Sequence, residues 1–145
     1  MTSTPPSPSA PPPSGSPSDD AAAAFWQERL YATLTTRRPD GTPHVVPVSV
    51  TYEPATRTAR VVSRRTSKKV RNIAAAGPEG MRIALCQVDG RRWSTLEGTA
   101  RIRTDAGAVS DAEGRYERRY GRRPRPNPER VLIEIAVDKV MGRAA

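Results

Sequence analysis

The decapeptide Ser63-Arg64-Arg65-Thr66-Ser67-Lys68-Lys69-Val70-Arg71-Asn72 sets two adjacent hydroxyl side chains among five cationic ones, where an apolar strand gives way to a helix. Thr66 and Ser67 are residue types that cap helix N-termini, and the first N–H groups of a helix point out of its positive end. Lys68, Lys69 and the flanking arginines add mobile charge to those fixed donors, and the combination suits a phosphate. The same residues also suit a solvated basic first turn, and the stretch alone does not separate the two readings. Other chemistry is scarce. Cys86 is the only cysteine and His44 the only histidine, which excludes an intrachain disulfide, a cysteine-based metal cluster and a His-rich zinc site. Cys86 sits in the apolar run Ile83-Ala84-Leu85-Cys86 and reads as a strand thiol, not a nucleophile. No pair of carboxylates stands out at hydrolase spacing.

The first eighteen of the 145 residues hold seven prolines and six serines and no charge or aromatic ring, a composition that cannot bury a core. They lack the cationic start and the continuous apolar run of a secretory signal. Residues 1–19 are therefore expected to be a disordered tail on a cytoplasmic protein, and residues 20–145 a single folded domain. No later apolar run approaches the roughly 20 residues that span a membrane. All 24 lysines and arginines and 13 of the 15 acids lie after residue 20, so that part carries +11. Such a field draws in polyanions, whether nucleic acid or a phosphorylated cofactor.

The elements that must position these residues alternate strand and turn. Asp19 and Asp20 precede a short helix over 21–29, with Phe25 or Trp26 packed inward. Strands follow at 30–37 and 43–52, joined by Pro39-Asp40-Gly41, and Pro43 and Pro47 mark the second as an edge or distorted strand with backbone groups left for a ligand. A third strand, 58–63, leads into the helix 66–76, which Gly77-Pro78-Glu79-Gly80 ends. Asp89-Gly90 joins strands 81–88 and 92–104, and Gly98 suggests a bulge that bends the sheet. A charged helix over 105–120 carries Asp105 as N-cap and Gly121 at its end, and 131–137 is the last strand. Six mostly hairpin-linked strands with short helices make a small, mainly β antiparallel barrel.

The pattern resembles the split β-barrel flavin and deazaflavin oxidoreductases, the group that includes pyridoxamine phosphate oxidase-like enzymes. The resemblance spans about residues 30–142. It rests on Pro43-His44-Val45-Val46-Pro47-Val48 after the Pro-Asp-Gly turn, on Ser67-Lys68-Lys69 after a strand, and on Leu96-Glu97-Gly98. Within the group, Gln87-Val88-Asp89-Gly90-Arg91-Arg92-Trp93 and the segment 122–128 leading into Val131-Leu132-Ile133-Glu134 look most like the actinobacterial biliverdin reductases that use coenzyme F420.

The resemblance implies a six-stranded FMN-binding split barrel, a homodimer, and a cofactor in the groove between protomers. The cofactor phosphate would lie at Val62, Ser63, Ser67, Lys68 and Lys69. The tricyclic ring would rest on Val46, Pro47 and Val48, and Gln87 and Trp93 would reach it from the partner subunit. Trp93 reads equally as a packed barrel residue. The acidic tail of F420 would suit Arg64, Arg65, Arg71 and the arginines at 122, 123 and 125. The implied activity is hydride transfer from reduced F420 to a conjugated acceptor, with biliverdin, a tetrapyrrole, the best single candidate. No side chain is assigned as catalytic and no metal is implied. FMN is the alternative cofactor. Pyridoxamine phosphate oxidation fits less well, since those enzymes place an arginine where this chain has Val46 and a glutamine where it has Trp93. Two non-enzymatic readings remain: a flavin or haem carrier in the same barrel, and a nucleic-acid binder using the arginines at 115, 118, 119, 122, 123 and 125 around Tyr116 and Tyr120.

Overall fold

The computed structural model describes residues 17–144. Most of the tail expected over 1–19 lies outside them, but residues 17–19 belong to the first helix, α1 (Pro17–Phe25). Phe25 and Trp26, at and just past its end, are both buried, so both residues pack inward where one was expected to. Each contributes about 1.5–3 kcal/mol of apolar burial. The Trp26 indole N–H also donates to Ser94 Oγ at 2.8 Å, which ties the helix to the barrel wall. No helix among the described residues is long and apolar enough to cross a membrane.

The strands are β1 (Ala32–Arg37), β2 (Pro43–Val48), β3 (Thr51–Glu53), β4 (Thr58–Arg64), β5 (Met81–Asp89), β6 (Arg92–Arg103) and β7 (Arg130–Arg143). They form one sheet in the order β2-β1-β5-β6-β7-β4-β3, and every pairing is antiparallel. Seven strands therefore replace the six expected. The difference comes from the stretch 43–52, which is two strands, not one. β2 pairs with β1 at one end of the sheet and β3 pairs with β4 at the other. Ser49 and Val50 alone carry the chain between those two edges, so the sheet must curl round on itself into a split barrel.

Two further devices shape it. The β6–β7 register shifts between Glu97 and Gly98, the expected bulge. Gly98 is required there, because a Cβ would lie 2.2 Å from the Ala136 carbonyl oxygen. The inward residues Leu34, Val48, Val61, Ile83, Leu85, Leu96, Ile133 and Ile135 fill the interior. α3 (Ala106–Tyr120) packs outside β3, β4 and β7. Leu132, on the outward face of β7, is buried along with Ala112 of α3. The apolar run at 131–133 is continuous because both faces of β7 are covered there.

α2 (Lys68–Ala75) packs on β1 and β6. It begins two residues later than the expected 66. β7 runs well past the expected end at 137, since beyond the bulge Lys139–Arg143 continue to pair with β6.

Candidate functional site

The junction between β4 and α2 opens onto a cleft of about 380 Å³. One wall is Pro47, Val48 and Ser49, where β2 leaves the sheet edge. The floor is Val61, Val62 and Ser63 of β4, followed by Arg64, Ser67 and Lys69. Tyr116 of α3 with Pro124, Asn127 and Arg130 closes the far side. The wall exists because β2 is an edge strand, which accommodates both prolines and leaves one row of backbone groups without a strand partner. The far side is held by the 127–130 turn: the Arg65 N–H donates to Glu129 O at 2.9 Å and the Arg130 N–H to Asn127 O at 3.1 Å.

At the head of the cleft, Ser67 occupies the N-cap position of α2, yet its side chain makes no capping hydrogen bond. Its oxygen instead accepts from the Ser63 hydroxyl at 3.1 Å. The first N–H groups of α2 are thus left uncapped at the positive end of the helix. Lys69 is half-buried beside them, and burial, then the charge of Arg64, pushes its ammonium pKa down. Among the described residues neither Arg64 nor Lys69 enters an ion pair. Two like charges, one of them partly desolvated and neither neutralised, are costly without an anion between them. A phosphate there would accept from Ser67, Lys69, Arg64 and the helix N–H groups together.

Of the residues picked out from sequence, the structure brings Pro47, Val48, Val62, Ser63, Arg64, Ser67 and Lys69 into one cleft. Four lie elsewhere. Val46 points into the barrel, partly buried against the core, and does not line the cleft. Lys68 is exposed, and its charge acts on Asp40 and His44 near the β1–β2 turn. Trp93 is 38% exposed on the outer face of the β5–β6 hairpin, opposite Val88. Gln87 corrects the expectation most sharply. It follows Met81, Ile83 and Leu85 on the inward phase of β5 and is fully buried. Its amide donates to Phe25 O at 2.9 Å and accepts from Arg119 at 2.8 Å, so both ends are engaged inside the subunit.

The cleft residues not foreseen, Ser49, Val61, Tyr116, Pro124, Asn127 and Arg130, come from the chain crossing, from β4, from α3 and from the segment leading into β7. Their signal was the strand pairing itself: Arg64 and Arg130 are register partners. Arg130 also holds Glu113 at 2.7 Å, which fastens α3 over the cleft. His44 is not part of the cleft. Its Nδ1 is buried without a hydrogen-bond partner, and burial, then the charges of Arg38, Lys68 and Lys69, lowers its pKa and keeps the imidazole neutral.

Three of the six arginines that suggested a nucleic-acid groove, Arg115, Arg119 and Arg123, are engaged within the fold. Arg119 is 7% exposed and donates to the carbonyls of Glu28 and Val50 and to Gln87. Arg115 holds Asp111 at 2.9 Å and Arg123 holds Glu117 at 2.8 Å.

Residues 18–143 match the family model described as pyridoxamine 5'-phosphate oxidase. An F420H(2)-dependent biliverdin reductase from Mycobacterium tuberculosis (strain CDC 1551 / Oshkosh) is 50% identical over 125 residues, covering 86% of this chain and 88% of the relative. Among solved structures, an F420 reductase superimposes with a TM-score of 0.62 at 24% identity, over 81% of this chain and 94% of the other. General Stress Protein 26 from Bacillus anthracis str. Sterne does so with 0.66 at 23% identity, over 86% and 92%. At these identities the two structures bear on the fold alone.

Proposed function

The chain belongs to the pyridoxamine 5'-phosphate oxidase family, and within it we propose that the protein is an F420-dependent reductase whose acceptor is biliverdin, working as a homodimer. The observation that carries the reading is the unneutralised Arg64–Lys69 pair, with Lys69 half-buried, at the uncapped start of α2, opening onto the wall made by Pro47 and Val48. The named activity of the M. tuberculosis relative supports F420 and biliverdin in particular.

The residues present fit such a cofactor. Ser67, Lys69, Arg64 and the α2 N–H groups would take its phosphate, and the Pro47–Val48 edge would support a flat ring. When bound and reduced, F420 supplies a hydride from its deazaflavin C5 to an electrophilic carbon of the acceptor. The chain's own part is to bind and orient. Among the described residues that line the cleft there is no histidine or carboxylate, and a solvent proton would complete the reduction. In the homodimer the partner subunit's Trp93 would complete the cleft. Gln87, enclosed by Phe25 and Arg119, holds the α1 end against β5 instead.

Side-by-side fluorescence titration with F420 and FMN, followed by turnover with biliverdin, tests the reading. F420 should bind at least about tenfold more tightly than FMN, a difference of roughly 1.4 kcal/mol, and bilirubin should form only with reduced F420. Tight FMN binding with no affinity for F420 would overturn it.

A further inference from the structure

Beyond Tyr116 the cleft meets a second, smaller depression of about 340 Å³ lined by Arg29, Tyr31, Tyr116, Tyr120 and Arg122. Tyr31 and Tyr120 are stacked with centroids 6.0 Å apart and planes 14° from parallel, and Tyr116 lies 5.1 Å from Tyr120. The Tyr120 hydroxyl is fixed, donating to Leu30 O at 2.9 Å and accepting from the Val50 N–H at 3.1 Å. Tyr31 is not part of the core: it is 63% exposed. At one rim, the Arg29 guanidinium lies within 3.2 Å of where a Cβ on Gly121 would stand, so it sits against the C-terminal end of α3. Among the described residues neither Arg29 nor Arg122 enters an ion pair.

Three clustered phenol rings, with Tyr31 outermost and exposed, present a polarisable aromatic surface that favours another conjugated ring system. Two unpaired guanidinium forks beside it favour carboxylates. A ligand that answers both is a flat conjugated molecule carrying acidic side chains. The acidic tail of the cofactor shares the second property and lacks the first.

We propose that the Tyr31–Tyr120–Tyr116 shelf with Arg29 and Arg122 is the docking subsite of a flat conjugated carboxylate-bearing acceptor, which reaches the cofactor cleft past Tyr116. The proposal rests on the reading of the chain as a reductase of such an acceptor. One conjugated end of the acceptor stacks on Tyr31, and its carboxylates lie on Arg29 and Arg122. Specificity for acidic bilins is set at this shelf, outside the cofactor contacts.

The test uses the full chain and biliverdin as the probe, in two independent arms. In the first, biliverdin is added without F420 and its induced visible circular dichroism is followed. Wild-type protein should give a saturable signal. Tyr31→Ala and Arg29→Gln/Arg122→Gln should each weaken it about tenfold or more, the scale of one stacking or charge-assisted contact. Tyr31→Phe, which keeps the ring, should behave as wild type. Biliverdin dimethyl ester should bind wild type and the double arginine variant alike. In the second arm F420 affinity is measured by fluorescence and should stay within about twofold in every variant, far below the tenfold step of a lost contact. Absence of a wild-type signal, or a signal insensitive to Tyr31→Ala and to the arginine changes, overturns the subsite. So does a fall in F420 affinity with biliverdin binding intact, which would make the shelf the seat of the cofactor tail. Failure of F420 to bind wild type would sink the reductase reading alone, because the first arm is read without it.

Discussion

At the scale of single residues, the cofactor head is a question of two adjacent lysines. Lys69 lines the cleft and is half-buried beside Arg64, whereas Lys68 faces the β1–β2 turn. Lys69→Ala should therefore lower F420 affinity by about 10- to 100-fold, the loss of one charge-assisted hydrogen bond of roughly 1.5–3 kcal/mol. Lys68→Ala should change it by less than about threefold, as removal of an exposed charge does; equal losses in a fluorescence titration would place the phosphate between the two side chains. His44 makes a different prediction. Its folded pKa lies below the usual histidine value, through burial and then the charges of Arg38, Lys68 and Lys69. The unfolded chain therefore takes up the proton first. Its contribution to stability is complete above about pH 6.5 and is lost as pH falls through the folded value. Between pH 7.5 and 5.5 wild type should lose more in melting temperature than His44→Gln, and parallel losses in a thermal scan would remove His44 as the cause. Sequence could assign the lysines to the site but could not choose between them, because a one-residue step on a helix turns the side chain by about 100° and the choice depends on what packs nearby. Gln87 was expected at the partner subunit's cofactor on resemblance, although the phase it shares with Met81, Ile83 and Leu85 puts it inside the barrel.

At the scale of elements, the molecule depends on how two residues bridge the split. Val50 has no place in a ladder, and its backbone is satisfied from α3: its N–H donates to the Tyr120 hydroxyl, and Arg119 donates to its carbonyl. α3 thus fixes the crossing that forms the Pro47–Ser49 wall. Tyr120→Phe should cost about 1–3 kcal/mol in urea unfolding, the penalty for leaving buried backbone groups unpaired. Gly98 is the second hinge of the architecture. Gly98→Ala pushes a methyl into the Ala136 carbonyl and should destabilise by about 1–3 kcal/mol, and an unchanged midpoint would show that the bulge relaxes freely. The Asp-Gly hairpin, the Gly98 bulge, the Asp105 cap and the Gly121 end of α3 were all legible, because each is local chemistry. The break of 43–52 into two strands was not. Ser49 and Val50 carry no turn signal, and the break follows from which edges β2 and β3 join, a long-range fact. The length of β7 was hidden for the same reason, since Asp138 and Lys139 interrupt its apolar pattern while its pairing with β6 continues.

At the scale of the whole molecule, two adjacent rows on the outer face of the sheet carry little of the charge found elsewhere on so basic a chain. Register puts Pro47, Thr33, Cys86 and Thr95 in one row across β2, β1, β5 and β6, and Val45, Thr35, Ala84 and Glu97 in the next. Glu97 is the only charge among these eight, and Val45 and Val88 are 56% and 63% exposed. A weakly charged patch of this kind, with Val45 and Val88 exposed, on a chain with net charge +9 is suited to association with a second copy. Trp93 lies at its edge, opposite Val88, and does not line the cleft of its own chain. The dimer and the cofactor site are therefore one prediction. Sedimentation should give about twice the 15.8 kDa chain mass. Val45→Glu/Val88→Glu, which touches no residue of the cleft, should yield a folded monomer by circular dichroism. If the partner subunit's Trp93 completes the site, that monomer should also bind F420 at least about tenfold more weakly, the scale of one lost aromatic contact. Trp93→Ala should reproduce the weakened binding while leaving the dimer assembled. A monomer with wild-type affinity would show instead that each cleft is complete on its own, and would return Trp93 to the role of a barrel residue.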